Sequence, residues 1–312
     1  MSSPTQTLIS PSLKNILYAT DFSPCSQAAI PYVCAVAGLY GSTIHVLHVL
    51  PPEPTLEVQF DMPPELDADW DVAQSMLKAL LTSKPFCNIP CTVTAIRGPL
   101  WDVVEAFLKE RNIDLVVLGT HGRHGLNKLM LGSVAEQVFR HAPCPVLTVG
   151  PQTVASETAK TRIATILFAT DFSHGSQHAL AYAESLARAN QAQLIVLHAV
   201  SAIEENVQVN FILEQPIMNL SADYAADAIE LAREQLADLI SAEKMQELKP
   251  EMIVQLGGGA QTILSVAKDK HADLIVMGAH HSSHTTLASH LPWATASDVV
   301  RQAHCPVLTI RS

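Results

Sequence analysis

Along the first 150 residues, short runs of Val, Ile and Leu alternate with longer stretches whose apolar positions recur at helical spacing. Short apolar runs bounded by turn residues suit strands buried on both faces, and the longer stretches suit helices with one apolar face. The pattern predicts strands near 15–20, 43–49, 91–97, 114–119 and 145–149, with helices near 24–39, 65–82, 100–111 and 134–141 between them. Ser23 followed by Pro24 marks the first helix start: the hydroxyl can accept from free N–H groups, and proline fits the first helical position. Ser173 is placed to do the same in the second half. Strand and helix alternating in this way indicate βαβ units around a buried parallel sheet.

The chain is two copies of one unit. Ile16-Leu17-Tyr18-Ala19-Thr20-Asp21-Phe22-Ser23 returns as Ile166-Leu167-Phe168-Ala169-Thr170-Asp171-Phe172-Ser173. The segment from Asp114 to Gly119 returns as Asp273 to Gly278, and that from Cys144 to Thr148 as Cys305 to Thr309. The offset grows from 150 to 159 to 161, which locates nine additional residues in the middle of the second copy and two more between Gly278 and its last strand. Such self-similarity defines the architecture before any single element does. Gly150-Pro151 and the polar stretch to residue 162 read as an exposed linker, giving domains 1–152 and 160–312. Right-handed crossovers then make each copy a doubly wound, Rossmann-like α/β domain with five parallel strands. Ligands bind such sheets beyond the carboxyl ends of the strands, so the site is expected just after strands one, two and four.

Composition narrows the function classes. Of 312 residues 48% are hydrophobic and 16% charged, which suits compact α/β layers rather than disorder. The net charge of −11, shared as −4 before residue 155 and −7 after it, gives neither half the positive field that a nucleic-acid backbone requires. With no leader-like segment and no apolar run long enough to span a bilayer, a soluble cytoplasmic protein is expected, with no membrane partner. The six cysteines are then expected to be reduced, and Cys87 and Cys91 lack a nearby second pair that would argue for a metal.

Candidate chemistry follows the fourth strand, where Gly119-Thr120-His121-Gly122-Arg123 leads on to Gly132-Ser133-Val134. The spacing is Gly, two residues, Gly, nine residues, Gly-Ser. Glycines at a strand end let backbone amides approach a ligand, and the helix opened at Gly132-Ser133 turns free N–H groups and a favourable dipole toward an anion. Ser133 has a purely structural reading as well, because Ser133-x-x-Glu136 fits a capping box. Asp21, between a strand end and a helix start, can also serve only to organise the turn.

This glycine string, the Ala19-Thr20-Asp21 ending of strand one and the His48-Val49 ending of strand two resemble the universal stress protein family, and both halves do so along nearly their whole length. The resemblance implies an adenine nucleotide alpha hydrolase-like fold. It also implies a site for ATP or another adenine nucleotide, alone or with Mg2+, in the first copy. Asp21 and Val49, with Ala19 and Thr20 beside the aspartate, would hold the nucleoside. Leu118, Gly119, Gly122, Gly132, Ser133 and Val134 would line the ribose and phosphates. Arg123 and Lys128 either add charge there or are simply solvated, and His121 or His124 could be named as a base or phosphate acceptor. Paired members of the family meet through their final strands. By that resemblance the edges Pro145–Val149 and Pro306–Ile310 would pair the two copies with each other, with the whole chain a candidate homodimer.

The second copy departs from the motif. Gly278-Ala279-His280-His281 puts histidine at the second glycine, and Trp293-Ala294 stands where Gly132-Ser133 stood. A side chain at a position needing positive φ or close approach is penalised, so this copy is expected not to bind ATP in the family manner. His280, His281, His284 and His290 invite a metal reading, yet no Cys or acidic residue completes a familiar spacing. Residues 53–71 carry seven acidic and no basic side chains, either a solvated connection or a docking surface for a basic partner. The expectation is a nucleotide-dependent regulatory or protective module of the stress response with an unidentified protein partner. The competing readings are a slow ATPase or phosphotransferase using the same site and a nucleotide-free scaffold.

Overall fold

The structure, a computed structural model, describes residues 11–52, 68–86, 88–121, 132–155, 163–200, 218–279 and 291–311. The first copy runs β1 (Asn15–Ala19), α1 (Pro24–Ala28), α2 (Ile30–Tyr40), β2 (Thr43–Leu50), α3 (Ala68–Leu81), a 3₁₀ turn at Lys84–Phe86, β3 (Cys91–Arg97), α4 (Leu100–Glu110), β4 (Leu115–Gly119), α5 (Ser133–His141), β5 (Val146–Val149) and α6 (Pro151–Ala155). Its strands lie in the order β3-β2-β1-β4-β5, and the pairs β1–β2, β1–β4, β2–β3 and β4–β5 are parallel. The order reverses between β1 and β4, where the chain leaves adjacent strand ends in opposite directions and a crevice opens.

The strands are buried because helices cover both faces. Ile16 and Leu17 of β1, Ile44 of β2 and Val116 and Val117 of β4 are wholly inaccessible. One carboxylate sets the start of the sheet: Asp114 Oδ2 accepts from the N–H groups of Lys14 and Asn15 at 2.8 and 2.9 Å, tying the entry of β4 to that of β1. Asp273 does the same for Ala164 and Thr165. This accounts for the aspartate that opens the repeated β4 motif.

Two expectations are corrected. The helix expected over 24–39 is interrupted at Ala29, so α1 has five residues and α2 begins afresh at Ile30. Pro31 is the cause, since it brings no N–H for the preceding turn. In the second copy Ala181 stands at that place and the helix runs unbroken. The stretch read as an exposed linker begins instead as α6, with Gly150 and Thr153 buried. Pro151 at its first position was the available signal.

The second copy comprises β6 (Thr165–Ala169), α7 (His174–Asn190), β7 (Gln193–Val200), α8 (Met218–Leu239), α9 (Ala242–Leu248), β8 (Glu251–Leu256), α10 (Gly259–Asp269), β9 (Leu274–Ala279), α11 (Leu291–Gln302) and β10 (Val307–Arg311). Its strands β9-β6-β7-β8 repeat the order and parallel pairing of the first. By compactness the chain forms two units, and the one built on Ser12–Arg162 also takes in Ala303–Leu308. Within that unit Thr148 Oγ1 donates to the Val307 carbonyl at 3.2 Å and Thr153 Oγ1 to the His304 carbonyl at 3.3 Å. Among the described residues no helix is long and apolar enough to cross a membrane.

Candidate nucleotide site

The site is built from the carboxyl ends of β1, β2 and β4 and the start of α5. Register places Ala19 beside Leu47 on one side and Leu118 on the other. The chain then turns sharply, with Phe22 in the left-handed region at φ 60°. A bulky residue there costs about 1–3 kcal/mol and persists only when its surroundings hold it. Three contacts do so. Thr20 Oγ1 accepts from the Phe22 N–H at 3.0 Å, Asp21 Oδ1 accepts from the Ser23 N–H at 2.9 Å, and the Phe22 ring packs on His48 with centroids 4.7 Å apart. His48 is fixed in turn by Nδ1, which donates to the Thr20 carbonyl at 2.7 Å.

Asp21 therefore does organise the turn. Burial pushes its carboxyl up, but hydrogen bonds from Ser23 and then Ser26 outweigh that and hold it below the usual carboxylate range. It is an anion at neutral pH. Thr20 is committed internally: its N–H reaches the Leu47 carbonyl, and its hydroxyl donates to Ser26 Oγ at 3.1 Å. Ser23 caps α1 as expected, its oxygen accepting from the Ser26 N–H at 3.2 Å, and its hydroxyl donates across the crevice to the His121 carbonyl at 3.1 Å. That bond ties the β1 turn to the β4 turn.

Gly119 ends β4 in a place no side chain can occupy. A Cβ there would lie 2.6 Å from Ser26 N and 2.7 Å from the carbonyl carbon of Cys25. The glycine admits the backbone of α1, where the sequence suggested close approach by a ligand. Beyond it the Thr120 carbonyl accepts from the Gly132 N–H at 2.8 Å, which sets the start of α5. The cap position of α5 is Gly132, not Ser133, and this cap residue brings no side-chain hydrogen bond to the first turn. The expected capping box is absent for this reason, and Glu136 pairs instead with Arg140 at 2.8 Å. At φ −60° and ψ 147° Gly132 is extended, so this position needs no positive φ. Glycine at the cap position leaves a helix N-terminus without a cap from that residue's own side chain, and helix N-termini attract anions.

These backbone features surround an apolar floor. Leu118 belongs to the buried cluster that includes Leu17, Leu47, Val116 and Ala135, and Ala19, Val49 and Val134 pack against it half-buried. Four residues named from sequence thus converge on one partly open surface, with the Asp21 turn and the first turn of α5 at its edges. Gly122, Arg123 and Lys128 lie outside the described residues, as do Cys87, the acidic segment 53–67 and the histidines at 280, 281, 284 and 290. Burial pushes the Cys34 and Cys91 thiols to about 11 and that of Cys144 to about 12.

Comparison with known proteins identifies the unit. The profile of the Universal stress protein family matches residues 12–150 and again residues 163–311. The chain belongs to the universal stress protein family. Universal stress protein A homolog 1 of Coxiella burnetii is 35% identical over 138 residues, 44% of this chain and 95% of that relative. A universal stress protein of Methanocaldococcus jannaschii is 30% identical over 139 residues, covering 44% of this chain and 81% of its own. The crystal structure of a universal stress protein from Archaeoglobus fulgidus matches with a TM-score of 0.65 at 18% identity, over 96% of this chain and 97% of that one, a likeness of fold.

The two universal stress protein units keep the same frame and differ at the site. Phe172 repeats the left-handed turn at φ 62° and packs on His198. Gly278 has the role of Gly119, since a Cβ there would lie 2.8 Å from Ser176 N. The retained glycine therefore serves the fold in both units. In contrast, α11 begins at Leu291, so Trp293 lies inside its first turn and the following N–H groups enter the helix's own ladder. Two further differences escaped the sequence reading. Ala199 stands at the place of Val49, and the Ser173 hydroxyl donates to Asp171 Oδ1 at 2.5 Å, whereas that of Ser23 donates to the His121 carbonyl. Aligning the strand-two ends would have found the first; the second needed coordinates.

Proposed function

We propose that the chain is an ATP-binding universal stress protein of the cytoplasm, in which the first unit carries the nucleotide and the second is its degenerate partner. The observation that carries this reading is the convergence of Ala19, Val49, Leu118 and Val134 on one apolar surface bordered by the start of α5, whose cap residue is Gly132. An adenine ring fits the apolar surface and Asp21 suits a sugar hydroxyl. The N–H groups after Gly132 suit phosphate oxygens, with any Mg2+ carried on those phosphates. Gly119 and Thr20 act as framework, and Gly122, Arg123 and Ser133 complete the set by their place in the motif. Occupancy would bias the conformation or partner choice of the chain in the stress response. Pairing of the copies through their final strands and further association of the whole chain as a homodimer belong to the same reading, by resemblance to the family.

Calorimetric titration with ATP tests the proposal on the intact chain and on Gly132→Trp, which writes the second unit's residue into the first. A micromolar site, about −8 kcal/mol, is expected once per chain and absent from the variant. At a hundredfold excess over Kd it should stabilise the fold by about 2.7 kcal/mol, seen as a thermal shift. Absence of heat and of thermal shift in the intact chain would leave the scaffold reading standing instead.

A further inference from the structure

The imidazole of His121 is buried, 7% exposed, and stands directly after Thr120 at the carboxyl end of β4. Nδ1 lies 2.9 Å from Thr120 Oγ1. Nε2 is buried and has no hydrogen-bond partner among the described residues. Native interiors leave few polar atoms in that condition, and each asks for a partner. The residue is also held from both sides of the crevice. Its carbonyl accepts from Ser23 Oγ, the serine whose N–H binds Asp21 Oδ1, and the carbonyl of Thr120 accepts from the Gly132 N–H. Hydrogen bonds thus connect His121 directly to the Ser23 side of the nucleotide site and, through the adjoining Thr120, to the start of α5.

We propose that His121 is a further binding residue of that site, its ring fixed by Thr120 so that Nε2 hydrogen-bonds a ribose hydroxyl of the nucleotide; the inference rests on the nucleotide reading above. The choice of ribose follows from tautomer chemistry. A threonine hydroxyl can donate to Nδ1 or accept from it, which leaves Nε2 either an N–H donor or a bare lone pair. A phosphate oxygen answers only the first state, whereas a sugar hydroxyl donates and accepts and so answers both. The second unit lacks this device: Ala279 occupies the place of Thr120 and offers no hydroxyl, and Ser173 bonds to Asp171.

The test is titration of the full chain with ATP, 2′-deoxy-ATP and 3′-deoxy-ATP, for the wild type, His121→Asn and His121→Gln, with 15N NMR of the histidine ring in the wild type. The asparagine amide can replace Nδ1 toward Thr120 but removes Nε2, while glutamine can restore a polar group near Nε2. The wild type should lose about tenfold in affinity when the bonded hydroxyl is missing, the size of one hydrogen bond. His121→Asn should bind ATP about tenfold more weakly and lose nothing more with the deoxy nucleotide, and His121→Gln should recover part of the loss. The wild-type Nε2 resonance should move on saturation with ATP, a readout that needs no variant to fold. Equal deoxy penalties in wild type and His121→Asn, with an unmoved Nε2 resonance, overturn the role of His121 alone. Failure of the wild type to bind ATP at all overturns the nucleotide reading and this inference with it.

Discussion

Replacing Gly119 by alanine separates a glycine kept for the fold from one kept for a ligand. The new Cβ would sit 2.6 Å from Ser26 N, 2.7 Å from the Cys25 carbonyl carbon and 3.0 Å from Cys25 Cβ. All three atoms belong to the start of α1, and two are backbone, so no side-chain rotation relieves the overlap. Restoring an ordinary 3.4 Å contact moves that helix start by about 0.8 Å. Overpacking of this kind costs about 1–3 kcal/mol. At about 2–4 °C per kcal/mol for a unit of this size, the melting temperature should fall by roughly 2–12 °C without any nucleotide present. Gly278→Ala, with its nearest contact at 2.8 Å, should behave alike in the second unit. The variants should part company on ATP: Gly119→Ala displaces the helix capped by Ser23 and weakens binding, and Gly278→Ala leaves affinity unchanged. Denaturant unfolding and calorimetry of the ligand-free proteins read the first effect, ATP titration the second. If glycine served only ligand approach, alanine would leave the free protein unchanged or stabilise it by about 0.4–1 kcal/mol by restricting the unfolded chain. That result would refute the packing argument.

Three smaller effects should accompany it. Because the Asp21 carboxyl titrates below its ordinary value of 3.8 in the folded state, its contribution to stability is complete above that value and is lost as pH falls through the folded pKa. Asp21→Asn should accordingly flatten the acid limb of the stability curve, and an unchanged limb would count against the hydrogen-bonded turn. Ser23→Ala removes a helix cap and the bond to the His121 carbonyl, with an expected loss of about 1–2 kcal/mol by chemical denaturation. Ser173→Ala removes a cap and bonds to Asp171 and Ser176 within its own turn, so ATP affinity should respond to Ser23→Ala alone. Tyr18→Phe installs the residue of the second unit and deletes the 2.7 Å bond from the phenol to the Ser26 carbonyl, at about 1 kcal/mol. Burial first of all pushes this phenol to about 12, so alkaline titration of the native protein should show it silent until that range.

The repeat, the strands, the helix start at Ser23 and the meeting of the ends of β1, β2 and β4 were all legible in the sequence. They depend on periodicity, on caps and on spacing, properties carried by neighbouring residues. Pro31 and Pro151 carried equally local signals for the break in the first helix and for the start of α6. Other features have no local signature. Phe22 lies in the left-handed region because Thr20 and His48 hold it there, and no propensity puts an aromatic residue at such a φ. Gly119 and Gly132 look alike in sequence, yet one is demanded by the backbone of α1 and the other sits in an extended conformation at a helix start. Ser133 fits a capping box and misses it, because the Thr120 carbonyl sets the start of α5 one residue earlier than the local pattern implies.

The sequence by itself therefore determined which elements form, in what order, twice over, and which strand ends would meet. Tertiary structure alone decided which glycine serves the helix, where the Ser23 and Ser173 hydroxyls go, and that Nε2 of the buried His121 has no partner among the described residues. The physical reason is that a strand or helix is specified by residues a few positions apart, whereas these outcomes depend on groups about 100 positions apart, such as Ser23 and His121, that only folding brings within a hydrogen bond.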